Sequence, residues 1–446
     1  MVAKRKSRNF LVIALFLQFT TCALMLLDVP VARQVIGFVY FTTVPGFIIV
    51  KLLKLNELDR LEIVLFSAGL SIAFLMLAGL ITNEFCFLIG ISEPLSLAKL
   101  LIVLNTFILV GGLLAFLRGG NIKFWETKTL GSSFIVLLLT VLPILSVIGA
   151  IWVNAFGNNL ILLLMIIAIA LLFVVGVISK KALPPKLYPL AVLMIAISLL
   201  FHSSLISKYV VTYGSDVAIE YFVFRSVQNN AYWSPISMYP SMEYSRMNSM
   251  LSVTILPAIF SSLLNMNATQ VLKILYPLIY SIMPLALYQL WQKNFGKKRA
   301  FAAAFLLMAQ ATFFTEMIGL TRQMVAELFF ILLLLVMLNK KMKPPNKMMC
   351  FMIFGVAFVV SHYSLAVIFL FFISIACIHS ALMKHERANV TMVVFFFVVM
   401  FAWYIYTSGS AVFDSILSYG DYIYRQLDQF FTPASRGETV LLGLGM

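Results

Sequence analysis

The stretch TYGSDVAIEYFVFRS, residues 212–226, carries two carboxylates one helical turn apart, Asp216 and Glu220. A carboxylate can take a proton from a reacting hydroxyl, hold a divalent cation or pair with a guanidinium, and at i and i+4 both groups share one helix face. Bland readings stand beside these. Ser215 or Asp216, following Gly214, can cap the helix, and an acid in its first turn complements the dipole. Glu220 can be a surface partner of Arg225 or touch a lipid headgroup. Ile219, Phe222 and Val223 supply a greasy side that can face lipid, as in an interfacial helix.

Further groups able to do chemistry follow downstream. AYWSPISMYPSMEYSRMNS contains Glu243 and Arg246; TEMIGLTRQMVAELF contains Glu316, Arg322 and Glu327; VVSHYSLAV contains His362 and Tyr363. Cations grip phosphate, and a nearby carboxylate can accept a proton, so a convergence of these residues suits a phosphate-bearing lipid. Arg322 is equally readable as an interfacial side chain that snorkels, and His362 as a helix terminator. His202, His379 and His385 read as structural.

The elements that position these groups are membrane helices. Of 446 residues, 62% are apolar and 11% charged, mean hydropathy is +1.02, and runs of about twenty apolar residues recur from end to end. The expected class is an all-α integral membrane protein with about 13 transmembrane helices and interfacial helices in the first large external loop. The expected spans are 10–27, 33–53, 62–82, 97–117, 130–153, 159–178, 188–207, 271–291, 299–315, 323–339, 347–361, 362–382 and 389–407. The shorter run 249–264, with Pro257, is expected to rest on or dip into the outer face. The basic start MVAKRKSRN precedes a run too long for a signal peptide, without a small-residue cleavage site, and reads as a retained first helix.

The net charge of +15 raises nucleic acid as a partner, but its distribution points to the membrane instead. With a cytoplasmic N-terminus, 23 of the 32 basic residues and 5 of the 17 acids fall on inner segments, as the positive-inside bias requires. This expects a multi-pass plasma-membrane protein with the C-terminus external, membrane lipid as a partner and no nucleic-acid partner. No charge is placed at mid-bilayer, where proton- or ion-coupled carriers keep some. The four cysteines, Cys22, Cys86, Cys350 and Cys377, have no metal or disulfide spacing and read as packing residues. No nucleotide-binding GxGxxG or P-loop is visible.

Three parts follow: a six-helix N-terminal module (1–186), a second transmembrane module (187–407) entered through SKKALPPKLYP and carrying the polar external loop 208–250, and an external C-terminal segment (408–446). The chain stops at VLLGLGM where an apolar run begins, and so reads as short of its relatives. The order of features in 188–339 resembles the GT-C superfamily of membrane glycosyltransferases. The likeness rests on YGSDVAIEYF after an outward helix and YPSMEYSRMNSMLSVTILPAIFSSLLNM as an external helix. It continues in VLKILYPLIYSIMPLALYQLWQKNFGKKRAFAAAFLLMAQATFFTEMIGLTRQMVAELFFILLLL, with SHYSLA at a later outer tip. The acids are spaced D-x-x-x-E instead of adjacent, and no second strong acidic motif follows. The front block, with VPGFIIVKLLKLNELDRLEIVLFSAGLSIAF, resembles a module of prokaryotic membrane proteins without an assigned role.

The resemblance implies a polyprenyl-phosphate-linked sugar donor, an acceptor of unknown kind in the cell envelope, and inverting transfer at the outer face. It implies Asp216 as catalytic base or ligand of a divalent metal ion, Glu220 as second acid, and Arg322, with Arg225 and Arg246, as phosphate-binding residues. Glu316 and His362 complete the expected substrate-binding set. The competing readings are a lipid or solute transporter, which would show broken helices at midplane and internal repeats, and a non-catalytic membrane scaffold.

Overall fold

In a computed structural model, residues 2–119, 133–179, 182–209, 216–235, 242–383, 390–409 and 411–427 are described, the side chains of 2–10, 133, 242 and 243 excepted. Gly214, Ser215, Glu243, the N-terminal basic side chains and VLLGLGM lie outside that set. In chain order the front block comprises α1 (Val2–Leu26), α2 (Ala32–Leu52), α3 (Arg60–Leu88), α4 (Leu97–Arg118), α5 (Ser133–Phe156) and α6 (Leu160–Ile178). α7 (Tyr188–Ser204) leads to α8 (Val217–Asn230), α9 (Met242–Asn248) and α10 (Ile255–Leu264). α11 (Ala268–Gln270), a π-helical turn at Val271–Leu275, α12 (Tyr276–Tyr280) and α13 (Ile282–Phe295) together make one span. α14 (Lys297–Met308) and α15 (Ala311–Phe314) precede α16 (Thr321–Leu338), α17 (Pro344–Val359), α18 (Tyr363–Leu382), α19 (Val390–Ser408) and α20 (Ala411–Arg425).

Each of the thirteen expected runs is helical over most of its described residues, but among the described residues nine helices are long and apolar enough to cross a bilayer. The shortfall has a physical origin. Leu11–Leu26, Tyr188–Ser204 and Pro344–Val359 are shorter apolar helices, and the 299–315 run breaks by 70° between α14 and α15. The run 249–264 holds the short helix α10, and of its two expected placements, resting on or dipping into the outer face, the first fails. α10 does not rest on the surface: it is packed against α2, α3, α4 and α8, with Ile255, Leu256, Phe260 and Leu263 buried.

α3 is the axis of the bundle. Asp59 and Glu62 form a reciprocal capping box that fixes its start, and its largely apolar length packs against α2, α4, α10, α13, α16 and α17. Small residues permit the closest approach. A Cβ on Gly46 would stand 1.9 Å from the Ser67 carbonyl oxygen, so only glycine allows α2 to lie on α3 there. The π-helical turn at 271–275 sits just before Pro277, whose missing N–H prevents regular hydrogen bonding through that point. Buried residues of both halves of the chain belong to one hydrophobic core.

Candidate functional site

The end of the bundle assigned to the outside by the charge pattern is built around Arg322, in the first turn of α16. Its Nη2 donates to Asp216 Oδ2 at 2.5 Å and its Nη1 to Glu220 Oε1 at 2.6 Å. Thr321 adds two donors to Glu220 Oε2, the backbone N–H at 2.8 Å and the hydroxyl. One guanidinium thus holds both carboxylates of α8, an arrangement its planar fork of donors suits and an ammonium does not.

The two acids differ in environment. Glu220 is 1% exposed, whereas the Asp216 side chain is 43% exposed. Burial pushes the Glu220 carboxyl above the usual range, opposed by the Arg322 charge and by the Thr321 and Arg322 hydrogen bonds. Glu220 is therefore not the surface partner of Arg225 that its spacing allowed. Tertiary pairing with α16 outweighs the local pair. Asp216 occupies the N-terminal boundary of α8 but makes no side-chain capping bond, because its carboxylate is directed to Arg322.

The greasy side expected for α8 is covered in part: Phe222 remains exposed, whereas Ile219 and Val223 meet protein. Val223 packs with Met247, Met250 and Val253, with Ile219, Tyr244 and Tyr363 against them. This brings α9 to the site: Arg322 Nη1 also reaches Met247 Sδ at 3.4 Å, and the Arg246 guanidinium lies over the Tyr363 ring, 5.8 Å from its centroid. Arg246 donates through Nη1 to Ser415 Oγ at 3.2 Å. The Nε groups of Arg246 and Arg322 are buried without a hydrogen-bond partner among the described residues.

His362 completes this end as the N-cap of α18. Its Nδ1 accepts from the Leu365 N–H at 3.5 Å and contacts Ser364 Oγ at 3.2 Å, so the helix-terminating reading holds in part. Nδ1 as acceptor places the ring proton on Nε2. Burial, reinforced by the Arg322 charge, lowers the imidazole to about 3. It is a neutral donor at neutral pH.

Two expected site residues are elsewhere. Arg225, about half a turn around α8 from the acids, donates to Gln228 Oε1 at 2.6 Å, and Gln228 bonds Ser261 of α10. Glu316 is exposed beyond the start of α16, outside the cluster. The spacing of these residues along the chain gave no measure of helix rotation in the folded protein. The donor set also does not suit a divalent cation. Glu220 is fully engaged by Thr321 and Arg322, and among the described residues no group of three potential ligands occurs.

Other positioning groups carried no sequence signal of their own. Asn83 of α3 bonds both backbone polar groups of Trp233, N–H to Oδ1 at 2.8 Å and carbonyl to Nδ2 at 2.7 Å, and buried Trp233 stacks on Trp403 of α19. Its indole N–H donates to the Asn248 carbonyl at 3.0 Å. Leu251 N–H bonds the Val360 carbonyl at 2.7 Å, and Ser252 Oγ the Ser361 carbonyl at 2.8 Å. The segment between α9 and α10 and the tip before α18 are thereby fixed to one another.

Glu327 sits one and a half turns into α16, accepting from Gln323 Nε2 at 2.8 Å and from Tyr280 OH at 2.9 Å. It is the one ionisable side chain lining a cavity of about 290 Å³ among Met283, Leu307, Phe330, Leu365 and Phe369. Two neutral donors replace the hydration it loses.

Residues 347–444, which hold most of α17, all of α18 to α20 and His362, match the family described as a predicted membrane protein (DUF2206). No curated protein and no solved structure matches the chain. What the geometry and this match establish is a multi-pass, all-helical membrane protein with a charged cluster at one end.

Proposed function

We propose that this cluster is the active site of a membrane glycosyltransferase that takes a sugar from a polyprenyl-phosphate donor at the outer face. The observation that carries the reading is the single guanidinium of Arg322 shared by one buried and one exposed carboxylate, beside a second arginine and a neutral imidazole. Glu220 orients and neutralises part of the Arg322 charge. Asp216, exposed and held by one bond, is the exchangeable partner. A donor phosphate competing for Arg322 Nη2 frees Asp216 to accept the proton of the acceptor hydroxyl.

The acceptor oxygen then attacks the anomeric carbon, the carbon–oxygen bond to the lipid phosphate breaks, and its electron pair leaves on the phosphate. Arg322, Arg246 and the His362 Nε2–H meet that developing charge, which is commonly the largest catalytic contribution. Membranes supplied with radiolabelled polyprenyl-phosphate sugar test the reading. Transfer is expected from the wild type and a loss of at least 100-fold from Asp216→Asn. Undiminished transfer by that variant removes Asp216 from the chemistry.

A transporter is favoured by a different observation. The 70° break between α14 and α15, with Glu327 inside a span, has the form of a broken-helix site. Flux of a solute or lipid across reconstituted vesicles, lost in Glu327→Gln and indifferent to Asp216→Asn, would support it over transfer.

A further inference from the structure

We propose that α20 is an interfacial helix that lies along the bilayer surface, its partner being the lipid headgroup and upper acyl region. Gly409, with a φ of +63°, turns the chain at the end of the α19 span, and α20 starts at Ala411, so the helix begins where the apolar span ends. At 100° per residue the helix presents three arcs.

One arc faces protein over the first turns, while Tyr419 and Tyr422 further along the same arc are exposed. Val412 is buried, Ser415 accepts from Arg246, and the helix packs on α9 and α19. A second arc, Ile416, Leu417, Gly420, Ile423 and Tyr424, extends into the following turn at Leu427, and Leu417, Tyr424 and Leu427 are 70%, 74% and 55% exposed. A third holds Asp414, Ser418, Asp421 and Arg425, with Arg425 Nε bonded to Asp421 at 2.8 Å. Apolar surface of this extent does not stay in water beside a membrane-spanning helix. An orientation in the plane of the interface satisfies all three arcs at once, with protein at one side, hydrocarbon below and water above. Tyr424, at the border of the apolar arc, suits the headgroup level.

The inference is independent of any catalytic reading, since it needs only a membrane. It has one consequence for the charged end. Through Ser415 the helix holds Arg246, so anchoring α20 in lipid also steadies the guanidinium over Tyr363.

Spin labels test it in the full chain reconstituted in vesicles of phosphatidylcholine and phosphatidylglycerol, with Cys22, Cys86, Cys350 and Cys377 replaced. Cysteines at Leu417, Gly420 and Tyr424 should be relaxed more by oxygen than by a nickel chelate, and those at Ser418, Asp421 and Arg425 the reverse. The ratio should oscillate at least five-fold with the helical period. Uniform access to the nickel chelate along α20 would place the helix in water. Protection of Leu417 and Tyr424 from both reagents would show protein on that arc. Either result overturns the proposal.

Discussion

A buried ion pair is weak evidence of stability until one partner is removed. Arg322 and Glu220 are almost free of solvent, and their bond of 2.6 Å offsets desolvation together with the Thr321 donors. Arg322→Ala leaves Glu220 without its counter-ion in a site that pushes the carboxyl up. The expected cost is about 3–5 kcal/mol, the usual range for breaking a buried pair. Thermal unfolding in detergent should show it, and Arg322→Ala combined with Glu220→Gln should recover part of the loss, because the double variant no longer buries a lone charge. If the single and double variants unfold at the same temperature, the pair does not carry the site's stability.

His362 gives a second residue-level expectation, in pH. Its folded value near 3 is below the ordinary imidazole value of 6.5, so between those pH values the unfolded chain binds a proton that the folded chain does not. Stability is therefore complete above about pH 6.5 and falls as pH drops toward 3, by up to about 1.4 kcal/mol per pH unit from this residue. The groups facing it are Arg322 of α16 and Tyr363 of its own tip, with Arg246 of α9 beyond that ring. Asn can also accept the Leu365 N–H, so His362→Asn should remain folded and flatten the slope between pH 7 and 5. An unchanged slope in that variant would assign the acid sensitivity to another group.

At the scale of elements, the bundle depends on close helix approach where a side chain does not fit. Gly46 meets α3 through backbone atoms, the Ser67 oxygen at 1.9 Å and the Ser71 nitrogen at 2.7 Å from a hypothetical Cβ. Gly111 of α4 instead meets the Cγ2 methyl of Ile48 at 3.1 Å. Backbone cannot rotate away and a side-chain methyl can. Gly46→Ala is expected to lower the unfolding temperature by many degrees, and Gly111→Ala by a few at most, measured side by side on purified protein. Equal effects would mean that α2 and α3 can separate without penalty.

The same distinction explains what was legible in the sequence. Apolar runs long enough to cross a bilayer signal helices directly, and every expected run is helical over most of its described residues. The acids on α8 were legible as a pair because i and i+4 share a face in any helix. Their partner was not, since Arg322 lies 102 positions from Glu220 and nothing local distinguishes it from Arg225. Helix rotation decides between the two arginines, and rotation depends on packing. Likewise α10 is apolar all round, a pattern shared by helices buried in protein and by helices in lipid. Glu327 was legible as a charge one turn into a helix, but not its partners, Tyr280 and Gln323.

At the scale of the whole molecule, residues 1–186 are tied to the remainder at both ends of the bundle. At one end Arg33 of α2 donates through Nε to the Leu263 carbonyl at 2.8 Å and through Nη2 to the Ser262 carbonyl at 3.0 Å, which satisfies the last turn of α10. At the other, buried Glu62 of α3 receives Lys293 of α13 and, at 3.2 Å, Asn339 after α16, while Gln289 donates to Asp59 at 2.7 Å. Between these anchors α3 packs directly on α10, α16 and α17. The front block therefore acts as a wall of the core that holds the charged end, because α10 supports α8 and α3 supports Trp233. Expressed alone, residues 187–446 should expose the surface of α10, α16 and α17 that α3 covers, and aggregate on extraction into mild detergent. Co-expressed with residues 1–186 on a separate chain, they should purify as a complex, and Arg33→Ala with Glu62→Ala should weaken its recovery several-fold. If 187–446 alone gives a monodisperse peak and unfolds as cooperatively as the intact protein, the front block is an appendage and α3 is not structural support for the site.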